Sequence, residues 1–134
     1  MSQIFVSKKA SISIDTSVLD PKEKKMLDLI LSKYPSVYYD TIMKGENLHT
    51  PLYKSVEFSR YDFYDIFGKK VLDIDLSPFF KNLLKVKIAS KIKKSERAVY
   101  PVIEEIRVFS KNTEYAAIFS DYFVGCAELF FCED

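Results

Sequence analysis

The chain has no tryptophan, one histidine, two cysteines and three glycines among 134 residues. Each shortage removes a class of chemistry. So few glycines leave no Gly-rich phosphate-binding loop and no nucleophile elbow. There is no H-x-x-x-H pair and no C-x-x-C pair, so the common zinc and redox signatures are absent. With only five prolines as well, long loops are few. Charge of one sign is also lacking: 20 Lys and Arg stand against 19 Asp and Glu, a net of +1. Such a balance provides no global attraction to nucleic acid or to an anionic membrane, and only local patches can supply one.

Long apolar runs are missing too. The strongest window, 115–131, contains Asp121 and Glu128. Each would cost about 2.5–3.5 kcal/mol near the centre of a membrane span, and the window is at the short limit for crossing. The first residues carry no signal-peptide pattern: Ile4-Phe5-Val6 runs straight into Lys8-Lys9. The expectation is a cytoplasmic protein with no membrane segment and with reduced thiols. Cys126 and Cys132 lie six apart in one predicted strand, about 20 Å apart if it is straight. A disulfide needs Cα atoms within roughly 7 Å. Both cysteines therefore read as small buried hydrophobes.

What is present is apolar alternation. The hydrophobic share is 48%, enough for a single globular domain over 1–134 with a real core. Its densest part is Val99 to Cys132, which reads as three consecutive antiparallel strands. Ser110-Lys111-Asn112-Thr113 is the first turn, with Asn suited to a left-handed conformation. Ser120-Asp121 is the second. Val102, Ile106 and Val108 share one face of the first strand, opposite Ile103, Glu105 and Arg107. Phe123 to Cys132 is apolar on both faces except at Glu128, as in a central strand, with Gly125 marking a bulge or a close neighbour.

Upstream, residues 3–14 alternate as a short hairpin or two edge segments. Asp20-Pro21-Lys22-Glu23 reads as a capping box with proline at the first helical position. Met26, Leu27, Ile30, Leu31 and Tyr34 follow at helical spacing until Pro35. Ser36 can cap a second, shorter helix through Met43. Residues 46–54 read as a loop. Val56 and Phe58 begin a strand, Tyr61 to Phe67 an irregular aromatic connection, and Val71 to Asp75 another strand. Ser77-Pro78 opens a short helix bearing Phe79, Phe80, Leu83 and Leu84. Residues 85–93 then alternate as a strand with a basic outer face.

Assembled, the chain is α+β, with two N-terminal helices packed on a mainly antiparallel sheet of about five or six strands and a C-terminal β-meander. This order of elements resembles the nuclear-transport-factor-2-like architecture, which implies a cone-like sheet wrapped on helices. Fold alone does not assign function.

Several groups of residues carry possible chemistry. Asp73 and Asp75 would lie on one strand face, about 6–7 Å apart, but no third ligand completes a metal site; a solvated face is the plainer reading. Glu104 and Glu105 would point to opposite faces, which disfavours paired acid–base work. His49, the only histidine, reads as a loop residue. From Lys81 to Arg97 there are seven positive charges and one negative. Lys85, Lys87, Lys91 and Lys93 would form a stripe suited to phosphates, or else a solubilising face. The fourth group is Tyr61, Asp62, Tyr64 and Asp65. Tyrosine combines apolar area with a hydroxyl and favours protein interfaces. If exposed, this patch fits a basic partner; otherwise its rings complete the core.

With no catalytic, metal or cofactor motif, the leading expectation is a small protein-binding module without chemistry or cofactor of its own. Immunity-type inhibitors, which cover a toxin domain's active site, share its size and character. Two alternatives remain. One is a small-molecule or enzymatic pocket between helices and sheet, lined by Tyr34, Tyr38, His49 and Cys126. The other is a nucleic-acid binder using the lysine stripe.

Overall fold

A computed structural model describes residues 3–7, 12–34, 54–93 and 96–124 of the chain. The first hairpin pairs β1 (Gln3–Ser7) antiparallel with β2 (Ile12–Asp15), as the alternation at the N-terminus predicts. Helix α1 spans Pro21–Ser32. Its start is a complete capping box: Glu23 N–H donates to Asp20 Oδ1 at 2.8 Å, and Asp20 N–H donates to Glu23 Oε1 at 3.0 Å. The second Glu23 oxygen accepts from Asn82 Nδ2 at 2.6 Å, so this buried carboxylate also anchors a later helix. Met26, Leu27, Ile30, Leu31 and Tyr34 are all buried, the face that the helical spacing predicts.

Strand β3 (Ser55–Ser59) follows, with Val56 and Phe58 buried. The aromatic connection after it is helical throughout: a 3₁₀ turn at Arg60–Phe63, α2 at Tyr64–Phe67, and a second 3₁₀ turn at Gly68–Leu72. The expected strand at Val71–Asp75 is therefore not formed. Val71 is buried and Ile74 half-buried, a three-residue spacing that matches a 3₁₀ turn as readily as alternation matches a strand. Helix α3 (Ser77–Leu83) then buries Phe80 and Leu83. Ser77, which the sequence suggests as its cap, is instead its first residue, with Leu76 at the cap position; Ser77 N–H donates to Asp75 Oδ1 at 3.0 Å.

The remaining strands are β4 (Lys87–Lys93), β5 (Glu96–Pro101), β6 (Ile103–Phe109) and β7 (Glu114–Phe119). They do not form one sheet. The order β1-β2-β4-β5 makes a four-stranded sheet, and β3-β7-β6 a three-stranded one. Every described pairing is antiparallel. The α+β class is as expected; the single sheet of five or six strands and the C-terminal meander are not, nor is the cone-like arrangement. The chain crosses between the sheets at Val102. Its N–H donates to the Val86 carbonyl at 3.2 Å beside β4, while its carbonyl accepts from Ser120 N–H at 3.0 Å just past β7. One buried residue is thus bonded to both sheets.

After β7, Asp121–Val124 is a helical turn, and Ser120 Oγ accepts from Phe123 N–H at 3.1 Å. The expected strand from Phe123 to Cys132 therefore does not begin at Phe123 or Val124; the rest of it, with both cysteines, lies outside the described residues. So do the expected second helix and the loop holding His49. The core is one cluster joining α1, the inner faces of both sheets and the 58–86 segment. Its aromatic parts are Phe58, Phe80 and Tyr115, with centroids 5.0–6.1 Å apart, and Tyr34, Phe119 and Phe123. Among the described residues, no helix is long and apolar enough to cross a membrane.

Candidate functional site

The sequence Arg60-Tyr-Asp-Phe-Tyr-Asp-Ile-Phe67 repeats its character every three residues. Wound into a 3₁₀ turn and a helical turn, spacings of three and then four sort the side chains by face. Arg60, Phe63 and Phe67 are buried. Tyr61 and Tyr64, three apart, are 61% and 49% exposed. Asp65 is exposed and Asp62 half-buried. Tyr61, Tyr64 and Asp65 are therefore exposed, on a helical connection where the sequence suggests an irregular one.

Asp62 is held in place: its Oδ2 accepts from Ser59 N–H at 2.8 Å and lies 3.6 Å from Lys33 Nζ. Leu72 is also exposed and lines, with Tyr61, Asp73 and Asp75, an open hollow of about 570 Å³. Two ring contacts brace the far side of the segment. Phe67 packs on Phe79 at 5.1 Å, and Lys22 Nζ lies 5.5 Å from the Phe67 ring centroid. Gly68 turns the chain there with φ +73° and ψ −157°, a region that side-chain-bearing residues avoid.

Arg60 is the residue that sequence reasoning missed. It is only 6% exposed and meets no carboxylate within ion-pair distance among the described residues. Backbone carbonyls take its place. Nη1 donates to Val71 O at 2.8 Å and Ile74 O at 2.6 Å, and Nε donates to Asn112 O at 3.1 Å. Its own N–H donates to Thr113 O at 2.9 Å. A buried guanidinium is tolerated when its fixed fork is satisfied in this way. Arg60 thereby stitches β3 and the 68–74 segment to the β6–β7 turn. Tyr115 Oη donates to the same Asn112 carbonyl at 2.7 Å. Burial pushes the Tyr115 phenol above the ordinary tyrosine value, and the nearby Arg60 charge partly opposes this.

That turn is itself unusual. Ser110, Lys111 and Asn112 all have positive φ, at 50°, 56° and 68°, although none is glycine. Thr113 Oγ1 donates to Ser110 O at 2.6 Å, and Ser110 Oγ donates to Glu114 Oε2 at 3.0 Å. The polar turn was legible in the sequence; three consecutive left-handed residues were not.

The other candidates fare differently. Asp73 and Asp75 are both exposed and are not on a strand. Ser77 N–H and its hydroxyl hold the Asp75 carboxyl below the ordinary aspartate value, with help from Arg60 and Lys81. Among the described residues, no three His, Cys, Asp or Glu side chains could share a metal ion. Lys85 sits in the turn before β4 and Lys87 opens that strand; both are exposed. Of Lys91 and Lys93 only the backbone is described. Ala89, which alternation places beside Lys87, is buried, so the predicted basic face is not uniformly open. β4 is also a central strand. Glu104 and Glu105 are exposed at a register shift in β6. Tyr34 is core, edge-on to Phe119 and Phe123; Tyr38, His49 and Cys126 lie outside the described residues. Comparison with models of protein families, with curated proteins and with solved structures finds no match for this chain.

Proposed function

We propose that this chain is a protein-binding module, an inhibitor or immunity-type protein that neutralises a partner by covering its functional surface. One observation carries the reading: Tyr61 and Tyr64 stand exposed, side by side, on a segment whose acids Asp62 and Asp65 flank them. Exposed aromatic rings with hydroxyl tips are the residues that protein interfaces select. Tyr61 and Tyr64 keep 61% and 49% of their surface in water, while Phe63 and Phe67 fill the inner side of the same turns. The flanking carboxylates favour a partner with a basic surface and speed encounter with it.

In this reading the protein works in the cytoplasm on another protein, a toxin domain being the type case, and carries no catalytic group or cofactor. The experiment is capture of a partner from the native cell lysate, followed by an assay of the partner's activity with and without the protein. Capture with loss of the partner's activity is the expected result. The double variant Tyr61→Ala, Tyr64→Ala should lose capture while keeping its thermal midpoint. Undiminished capture by that variant, or a partner that stays fully active when bound, sinks the reading.

A further inference from the structure

Pairing register places a second recognition feature next to this patch. Ser59 opposes Glu114, and Glu114 opposes Phe109, so these three side chains form one row on the outer face of the three-stranded sheet. One pleat away on that face run Glu57, Ala116 and Arg107, also directly opposed. Beside the first row the surface opens toward Asp62. The result is a groove of about 430 Å³ lined by Glu57, Asp62, Glu114 and Phe109, with Phe58 and Tyr115 behind.

We infer that this groove seats an arginine side chain of the protein partner. The inference rests on the protein-binding reading and specifies its chemistry. Phe109 is 50% exposed and offers a ring face against which a guanidinium stacks. Three carboxylates converge on the same space. The Glu57 carboxylate makes no hydrogen bond or ion pair among the described residues, and Glu114 spends one oxygen on Ser110. Of the nearby cations, Arg107 is paired with Glu105 at 3.2 Å, and Lys33 lies 3.6 Å from Asp62 Oδ2. Asp62 belongs to both the groove and the tyrosine patch, so one partner surface can cover both. Arginine is favoured over lysine because its flat fork satisfies a ring and a carboxylate together.

The test needs no partner. The isotopically labelled protein is titrated with acetyl-Gly-Arg-Gly-amide, its lysine counterpart and its citrulline counterpart, and amide resonances are followed. The arginine peptide should move Glu57, Phe109 and Glu114 saturably, the lysine peptide more weakly, and the uncharged citrulline peptide not at all. Phe109→Ala, at a half-exposed site, should weaken the arginine peptide roughly three- to fivefold, and Glu57→Gln should weaken it in the same direction. Equal response to citrulline or lysine, or shifts scattered away from these residues, overturns the inference. Tyr61→Ala, Tyr64→Ala should leave peptide binding unchanged. Partner capture without a peptide response would therefore reject the groove alone, whereas a peptide response without capture would leave an arginine site but reject the protein-binding reading, and with it a protein partner as the source of the arginine.

Discussion

Arg60 and Asn112 are 52 positions apart, yet the Arg60 Nε donates to the Asn112 carbonyl at 3.1 Å, and Tyr115 Oη donates to that same oxygen at 2.7 Å. Two side chains converging on one backbone atom hold the β6–β7 turn against the end of β3. The groove and the tyrosine patch both depend on that junction.

Removing Arg60 strands the carbonyls of Val71 and Ile74 and leaves Asn112 O with Tyr115 Oη alone. Arg60→Met should cost about 3 kcal/mol in urea denaturation, since buried acceptors lose their charged donor. Tyr115→Phe should cost about 1 kcal/mol. Because the pair shares an acceptor, the double variant should differ from the sum by more than about 0.5 kcal/mol. Strict additivity would show that the two bonds act independently.

Backbone strain has opposite consequences at two turns. Gly68 occupies a region open almost only to glycine, and no atom lies within 4 Å of an added Cβ. Gly68→Ala should therefore lose about 1–3 kcal/mol purely from backbone strain. Lys111 is exposed with φ 56°. Lys111→Gly relieves about 1–2 kcal/mol of left-handed strain against about 0.4–1 kcal/mol of unfolded-chain entropy. A small gain in thermal midpoint is expected, and a clear loss would contradict it.

The capping box of α1 should behave as a unit. Asp20→Ala is expected to cost about 1 kcal/mol. Glu23→Ala should cost more, because its second oxygen also accepts from Asn82 and the residue is 3% exposed. Equal losses in denaturation midpoint would mean that the Asn82 bond contributes nothing.

Asp75 sets a pH dependence with a definite sign. Its carboxyl is held below the ordinary aspartate value, first by the Ser77 N–H and then by the Ser77 hydroxyl. A lowered folded-state value stabilises the fold above the unfolded value, and this contribution disappears as pH falls through the folded one. Following the Asp75 carboxyl by NMR should show a midpoint below the ordinary range. Ser77→Ala should raise that midpoint, since one of the two Ser77 donors is lost; an unmoved midpoint would remove the hydroxyl from the account.

Local rules carried some of the fold and not the rest. The Asp20–Glu23 box, the buried face of α1, the β3 alternation and the 110–113 turn each depend on residues within four positions of one another, and all are found. The patch residues Tyr61 and Tyr64 were legible by type, while their exposure depended on whether the segment is extended or wound. Val71–Asp75 misled because its period-two pattern also contains a period-three pair, and the 3₁₀ turn ending at Leu72 buries Val71 and leaves Ile74 half-buried just beyond it. The groove was invisible because Glu57, Phe109 and Glu114 become neighbours only through pairing register.

By itself, the sequence determined where helix α1 starts, which of its side chains face inward, and that β3 and the segments flanking the 110–113 turn would form strands. Only the tertiary structure decided which strands share a sheet, that Val102 carries the chain between them, and that a lone arginine is buried among carbonyls. The physical reason is range. Caps and amphipathic periods are satisfied within a turn or two of chain. Strand partners and buried donors are chosen by which distant backbone groups must be satisfied once the core closes.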